Sequence, residues 1–168
     1  MKKNFRPHPS RGFMSISLRS INSADEPFMF ELYATTRQEE LALVNWDEAA
    51  KAAFLQMQYV AQRQGYSTEY PQAQWQIILQ DNQPIGRIIV DRREQEIGLM
   101  DIALLPQHRS QGIGTALIQA LLAEATRTNR PARLYVEKDN YRAIRLYQRL
   151  GFVTIGETGL HWWMEWWA

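Results

Sequence analysis

The chain has 168 residues, 45% of them apolar and 22% charged, with a formal net charge of +1 and no cysteine. That length suits one domain with a substantial core, and the charge is too small to point to nucleic acid as a partner. No apolar run is long enough to span a bilayer as a helix, and the missing cysteines exclude a disulfide scaffold, a thiolate metal site and an acyl-cysteine intermediate.

The N-terminal stretch MKKNFRPHPSRGF carries Lys2, Lys3, Arg6 and Arg11, with no acidic residue before Asp25. It has the positive start of a signal peptide but no apolar stretch behind it. Residues 1–14 therefore read as a disordered basic leader, and 15–168 as a single domain of a cytoplasmic protein. Residues 15–21, SISLRSI, alternate as a strand. Asp25 and Pro27 suit a helix start, with FMFELYATT as a short helix. A second helix follows, with Asn45 as its cap and Glu48 completing a capping box. Ala50, Ala53, Phe54, Met57 and Val60 would share one of its faces, and Gly65 would end it.

Three strands come next: QWQIIL (74–79), IGRIIVD (85–91) and EIGLMDIALL (96–105). The short polar turns between them favour antiparallel pairing. A helix runs from about Thr115 to Thr128, RLYVE (133–137) is a strand, and NYRAIRLYQRL (140–150) is a helix capped by Asn140 and closed by Gly151. FVTIGE and LHWWMEWW finish the chain as two strands about a Thr158–Gly159 turn. The order predicts an α+β fold, a mixed and mostly antiparallel sheet of about seven strands with four helices. Strands 96–105 and 133–137 should be parallel neighbours joined by a right-handed crossover.

The stretch from Arg109 to Thr115, RSQGIGT, turns through two glycines straight into a helix. A helix N-terminus leaves N–H groups unpaired and carries the positive end of the dipole. Gly112 and Gly114 let an anionic group approach the main chain, so the turn suits a phosphate or pyrophosphate, with Arg109 adding charge. It is not a Walker loop, since no Gly-Lys-Ser/Thr follows, and not the dinucleotide fingerprint, since position 117 is Leu. The pattern is Arg/Gln-x-x-Gly-x-Gly/Ala. By itself it also fits a glycine-rich strand-to-helix turn without any ligand.

Downstream stands Asn140-x-x-Ala143-x-x-Leu146-Tyr147-x-x-x-Gly151-Phe152. With IALL, Pro106, the glycine loop, the long helix and RLYVE, the chain resembles the GCN5-related N-acetyltransferase superfamily over residues 96–152. The resemblance implies acetyl-CoA as acyl donor, an amine as acceptor, no metal, and a central parallel pair of strands splayed apart around the pantetheine arm. It implies that backbone groups of Ile102, Ala103 and Leu104 pair with that arm. The N–H groups of Ser110, Gln111, Gly112, Ile113, Gly114 and Thr115 would hold the pyrophosphate, and Asn140 would meet the arm near the thioester. Tyr147 takes the place of the general acid, protonating the leaving thiolate or hydrogen-bonding to its sulfur. An alternative is that Tyr147 only packs on the sheet with Ile144 and Leu150.

The general base is less apparent. The positions where relatives carry a glutamate hold Gly98 and Tyr135. Of the nearby carboxylates Glu96, Asp101 and Glu137, Asp101 is the candidate, because it interrupts an apolar strand beside the cofactor cleft. A structural hydrogen bond is its other possible use, and a water chain or an amine arriving neutral would need no dedicated base. The acceptor side would hold Tyr59, Gln62, Tyr66, Tyr70, His161 and Trp163. The three histidines, His8, His108 and His161, form no metal-ligand spacing.

In HWWMEWW, Trp162, Met164 and Trp166 should point one way and His161, Trp163, Glu165 and Trp167 the other. One face is core. The second is a wall of the acceptor site or a partner surface, which would allow a homodimer through the C-terminal strand. The reading is thus an N-acetyltransferase acting on a primary amine of a small molecule or peptide by direct attack in a ternary complex. The competing readings are a catalytically silent acyl-CoA-binding module and a nucleotide-phosphate binder sharing only the loop.

Overall fold

A computed structural model describes residues 15–168. The expected leader, residues 1–14, lies outside the described residues. Seven strands form one sheet: β1 (Ile16–Ser20), β2 (Gln74–Gln80), β3 (Gln83–Arg92), β4 (Ile97–Leu104), β5 (Ala132–Glu137), β6 (Val153–Thr158) and β7 (His161–Trp166). Four helices join them: α1 (Glu26–Ala42), α2 (Glu48–Glu69), α3 (Ile113–Thr128) and α4 (Tyr141–Arg149). The spatial order is β1-β2-β3-β4-β5-β7-β6, and only the β4–β5 pair is parallel. The α+β reading, the strand count and the parallel pair follow the sequence.

Helices cover both faces. Met29 and Tyr33 of α1 and Tyr59 of α2 meet Ile77 of β2 on one side. Ile118, Leu121, Leu122 and Ala125 of α3 and Tyr147 of α4 meet Leu99, Leu134 and Met164 on the other. Each such apolar side chain, sealed from water, contributes about 1.5–3 kcal/mol.

The first two helices differ from expectation. α1 does not stop after Thr36 but continues through RQEELA to Ala42, and Leu41 is buried at its far end. α2 is capped by Asp47, whose carboxylate accepts from the Ala50 N–H at 2.7 Å, and not by Asn45. It also passes Gly65 and ends at Glu69, ahead of Pro71. A mid-helix glycine costs only about 1 kcal/mol relative to alanine, and the edge-on contact of Tyr66 with Trp75 favours continuing the helix beyond it. The inward line of α2 runs through Phe54, Leu55, Tyr59, Gln62 and Tyr66. Met57 and Val60, expected inside, are 59% and 41% exposed. Alanines at 50 and 53 had made the wrong stripe look apolar.

β7 lies between β5 and β6, so it has no free edge and cannot extend the sheet into a second copy. The free edges are β1 and β6. Trp162, Met164 and Trp166 do turn to the α3–α4 core, as the alternation required.

Candidate functional site: a parted strand pair and an open helix mouth

The strand MDIALL contains a defect that fixes the site. Opposite β3, Leu99 pairs with Val90 and Asp101 with Ile89, so Met100 is an extra residue in β4. A bulge of this kind bends the strand and increases its twist. It also resets the alternation: Ile97 and Leu99, then Ile102 and Leu104, contact the α3–α4 core, while Asp101 faces α1 and α2. β4 pairs with β5 only at Ile97–Ala132, Gly98–Arg133 and Leu99–Leu134. Beyond the bulge the two parallel strands part. Ile102, Ala103 and Leu104 still pair with β3 on one side, and their β5-facing side lines the gap. The expected splay is present, and it begins at the bulge.

The gap leads to the glycine loop. After Leu104 a single helical turn, Pro106–His108, redirects the chain. Ser110 adopts φ +61° and Gly112 φ +80°, and Gly112 caps α3 with no side-chain hydrogen bond. A Cβ built on Gly112 or Gly114 would meet nothing within 4 Å. The first N–H groups of α3 therefore face open space, the arrangement that a diphosphate needs. The residues fit the donor that the family resemblance implied.

Arg109 is placed differently from expectation. Its Nε donates to the Leu104 carbonyl at 2.8 Å and its Nη2 to Thr35 Oγ1 at 3.2 Å, so it ties the loop to the end of β4 and to α1. Burial holds its pKa below the usual guanidinium value, with Arg142 adding to the effect. Arg142 supplies the loop's second guanidinium, its Nη2 donating to Ser110 Oγ at 2.5 Å from the exposed first turn of α4. The sequence reading missed Arg142, since only the folding of α4 back beside the loop brings together two residues 32 apart.

Asn140 and Tyr147 project from α4, whose start is fixed by the Asn140 side-chain oxygen accepting from the Ala143 N–H at 3.1 Å. That leaves the Asn140 amide NH2 for other partners. Tyr147 is buried, with its ring edge-on to Phe152 at 5.7 Å. Burial, then the charge of Asp101, push its phenol up to about 12. Tyr147 thus stays neutral and protonated at neutral pH, while sensing a carboxylate that belongs to the opposite face of the sheet.

On that opposite face a buried arginine, unnoticed in the sequence reading, organises the polar groups. The Arg87 side chain is 3% exposed. Its Nε donates to Asp101 Oδ2 at 2.6 Å, and its Nη2 to Gln62 Oε1 at 3.1 Å. Asp101 therefore makes the structural bond weighed for it, and its Oδ1 keeps no partner among the described residues. Tyr66 is pushed up to about 12 by burial and then by Asp101. Tyr70, bonded to Glu69 at 2.9 Å, is likewise pushed up to about 12, chiefly by burial. Of the other carboxylates, Glu96 is taken by Arg133 at 2.5 Å, whereas Glu137 makes no ion pair among the described residues. Trp163 stacks on Tyr135 with centroids 6.0 Å apart and planes 12° apart. Of the residues expected on the acceptor side, Gln62, Tyr66, Tyr70, His161 and Trp163 stand around this face; Tyr59 is a core residue between α1 and α2. No group of three or more potential metal ligands occurs among the described residues.

A sheet opened at one point, with an uncapped helix mouth beside the opening, leaves room for a long ligand carrying a diphosphate at one end. The chain belongs to the acetyltransferase (GNAT) family, whose sequence model matches residues 27–152. Solved structures share the fold. The PaiA N-acetyltransferase of Thermoplasma acidophilum, in complex with coenzyme A, superimposes with a TM-score of 0.70 at 19% identity, over 92% of this chain and 100% of that one. The spermidine N-acetyltransferase of Vibrio cholerae, in complex with CoA and spermine, gives 0.60 at 15% identity, over 90% and 95%. The N-acetyltransferase PseH of Campylobacter jejuni, in complex with acetyl coenzyme A, gives 0.56 at 16%, over 91% and 99%.

Proposed function

We propose that this protein is an acetyl-CoA-dependent N-acetyltransferase that acts on the primary amine of a small acceptor, by direct attack within one ternary complex. The observation that carries the reading is the gap between β4 and β5. Tyr147 belongs to one face of the sheet and Asp101 to the other, yet the Asp101 charge is felt at the Tyr147 phenol. A donor threaded between the strands and an acceptor entering from the α1–α2 side would meet there. Solved relatives carry CoA or acetyl coenzyme A, and one is named for spermidine, a small amine.

Acetyl-CoA supplies an activated thioester carbonyl. The chain's own groups do the rest. N–H groups from Ser110 to Thr115 hold the diphosphate, and the free side of Ile102–Leu104 aligns the arm. Asp101 Oδ1 accepts the proton that the acceptor ammonium loses, so that a neutral nitrogen forms the new C–N bond as the C–S bond breaks, and the second proton that this nitrogen sheds ends on the departing sulfur as the CoA thiol. Tyr147, with its phenol near 12, is a weaker acid than an ordinary thiol at about 8.5. It therefore remains protonated and steadies the departing thiolate through a hydrogen bond.

The test is release of the CoA thiol over a panel of amines. Tyr147→Phe should lower kcat by roughly tenfold to a hundredfold, the worth of a hydrogen bond to a charged group at about 1.5–3 kcal/mol, with acetyl-CoA affinity unchanged. A fully active variant would reduce Tyr147 to core packing. Tight acetyl-CoA binding with no thiol release on any amine would overturn the transferase reading.

A further inference from the structure

On the α1–α2 side of the sheet, α1 and α2 pack against β2–β4, but the same face of β5, β7 and β6 carries exposed and half-buried side chains. The strand register arranges that face in rows. Tyr135 of β5 lies beside Trp163 of β7, and Trp163 beside Gly156 of β6. This gives a strip of two rings stacked on each other, with a small residue at its outer end. One row toward the loop, Glu137 lies beside His161. One row the other way, Arg133 lies beside Glu165.

The two flanking rows differ in what they have to offer a ligand. Arg133 is saturated, bonded to Glu165 at 2.6 Å and Glu96 at 2.5 Å, with its guanidinium 5.3 Å from the Trp163 ring centroid. It braces the tryptophan and leaves no charge to spare. Glu137 is exposed and forms no ion pair among the described residues. Tyr135 is 44% exposed although it stacks on Trp163, so a ring lies open to solvent in a fixed position. Tyr135 is also the first β5 residue past the last β4–β5 pair, Leu99–Leu134. The strip therefore begins at the gap where the acyl group would be presented.

We propose that this strip is the acceptor subsite and that the acceptor is an arylalkylamine: a flat aromatic body stacked on the open Tyr135 ring, which Trp163 backs, joined by a short chain to a primary amine at the gap. The inference rests on the transferase reading above and deepens it. A pre-positioned aromatic face gains most from another flat ring. Glu137 favours an amine that arrives as its cation. A linear polyamine would need several unpaired carboxylates along its length, and with Glu96 and Glu165 taken by Arg133 the face offers only Glu137 and the single free oxygen of Asp101.

Calorimetric titration of the CoA-loaded protein tests this without needing turnover. Tryptamine should bind at least tenfold more tightly than spermidine. Tyr135→Leu and Trp163→Leu should each weaken tryptamine binding by about tenfold with CoA affinity unchanged, and Tyr135→Phe, which keeps the ring, should retain it. Spermidine binding as tightly as tryptamine, or tryptamine binding unaltered in both Leu variants, would overturn the assignment. Tryptamine binding that follows this pattern without thiol release from acetyl-CoA would support the subsite and sink the transferase reading, so the two failures are separable.

Discussion

Gly114 shows how one residue can separate folding from function. Its neighbours Gly112 and Ser110 take left-handed backbone, but Gly114 sits inside the first turn of α3 in ordinary helical geometry, with open space where a Cβ would lie. An aspartate there is welcome to the fold, since a carboxylate in a first turn gains about 0.3–1 kcal/mol from the helix dipole. It is unwelcome to a diphosphate, which would meet both the side chain and a like charge. Gly114→Asp should therefore hold or raise Tm while weakening acetyl-CoA by a hundredfold or more, measured by calorimetry; unchanged affinity would remove the loop from the binding site. The candidate residues whose placement could be read from the sequence, Gly112, Gly114, Asn140 and Tyr147, share one property: their positions are local, set by a turn or by a single helix face. Arg87, Arg142 and the true engagement of Arg109 were not legible. Their partners Asp101, Ser110 and Thr35 lie 14, 32 and 74 residues away, and only strand register and helix return bring them into contact.

At the scale of elements, the succession of strands and helices and the parallel pair were legible because period-two alternation and short turns leave few topologies, whereas the insertion of β7 between β5 and β6 was not. The α1 and α2 boundaries were not, because Gly65 and Thr36 look like ends until tertiary contacts outweigh local preference. The least legible element was the most consequential, the bulge at Met100. In the sequence GLMDIALL an apolar Met beside an apolar Leu suggests a doubly buried strand, not an extra residue. Yet deleting Met100 would leave Leu99, Asp101, Ile102, Ala103 and Leu104 in strict alternation, with each facing the side it faces now. β4 would lose its bend and could continue pairing with β5 past Leu134. The Met100 deletion should thus fold, by far-UV circular dichroism and a cooperative melt, while acetyl-CoA binding is lost because the gap has closed. Retained binding would mean that something other than the bulge parts the strands.

The whole molecule is stabilised between two proton-linked limits, and their signs follow from which state binds the proton. On the acid side, the Arg19 guanidinium bonded to Asp25 holds that carboxyl down to about 2. A lowered folded-state value means that this stabilisation is complete above the unfolded value near 3.9 and fades as pH falls toward 2. On the alkaline side, burial raises Tyr66, Tyr70 and Tyr147 to about 12. A raised folded-state value means that stabilisation is complete below the unfolded value near 10 and is lost as pH climbs from 10 through 12, because the unfolded chain sheds those protons first. For Tyr147, the most deeply buried of the three, a displacement of two units corresponds to about 2–3 kcal/mol. Denaturant midpoints measured from pH 8 to 12 should therefore fall more steeply for the wild type than for Tyr147→Phe, which has no phenolic proton to lose. Every other titratable group is common to both proteins and cancels in the difference. Parallel curves would show that the Tyr147 phenol ionises as freely in the fold as in water. It would then lack the dry surroundings that the proposed hydrogen bond to the sulfur requires.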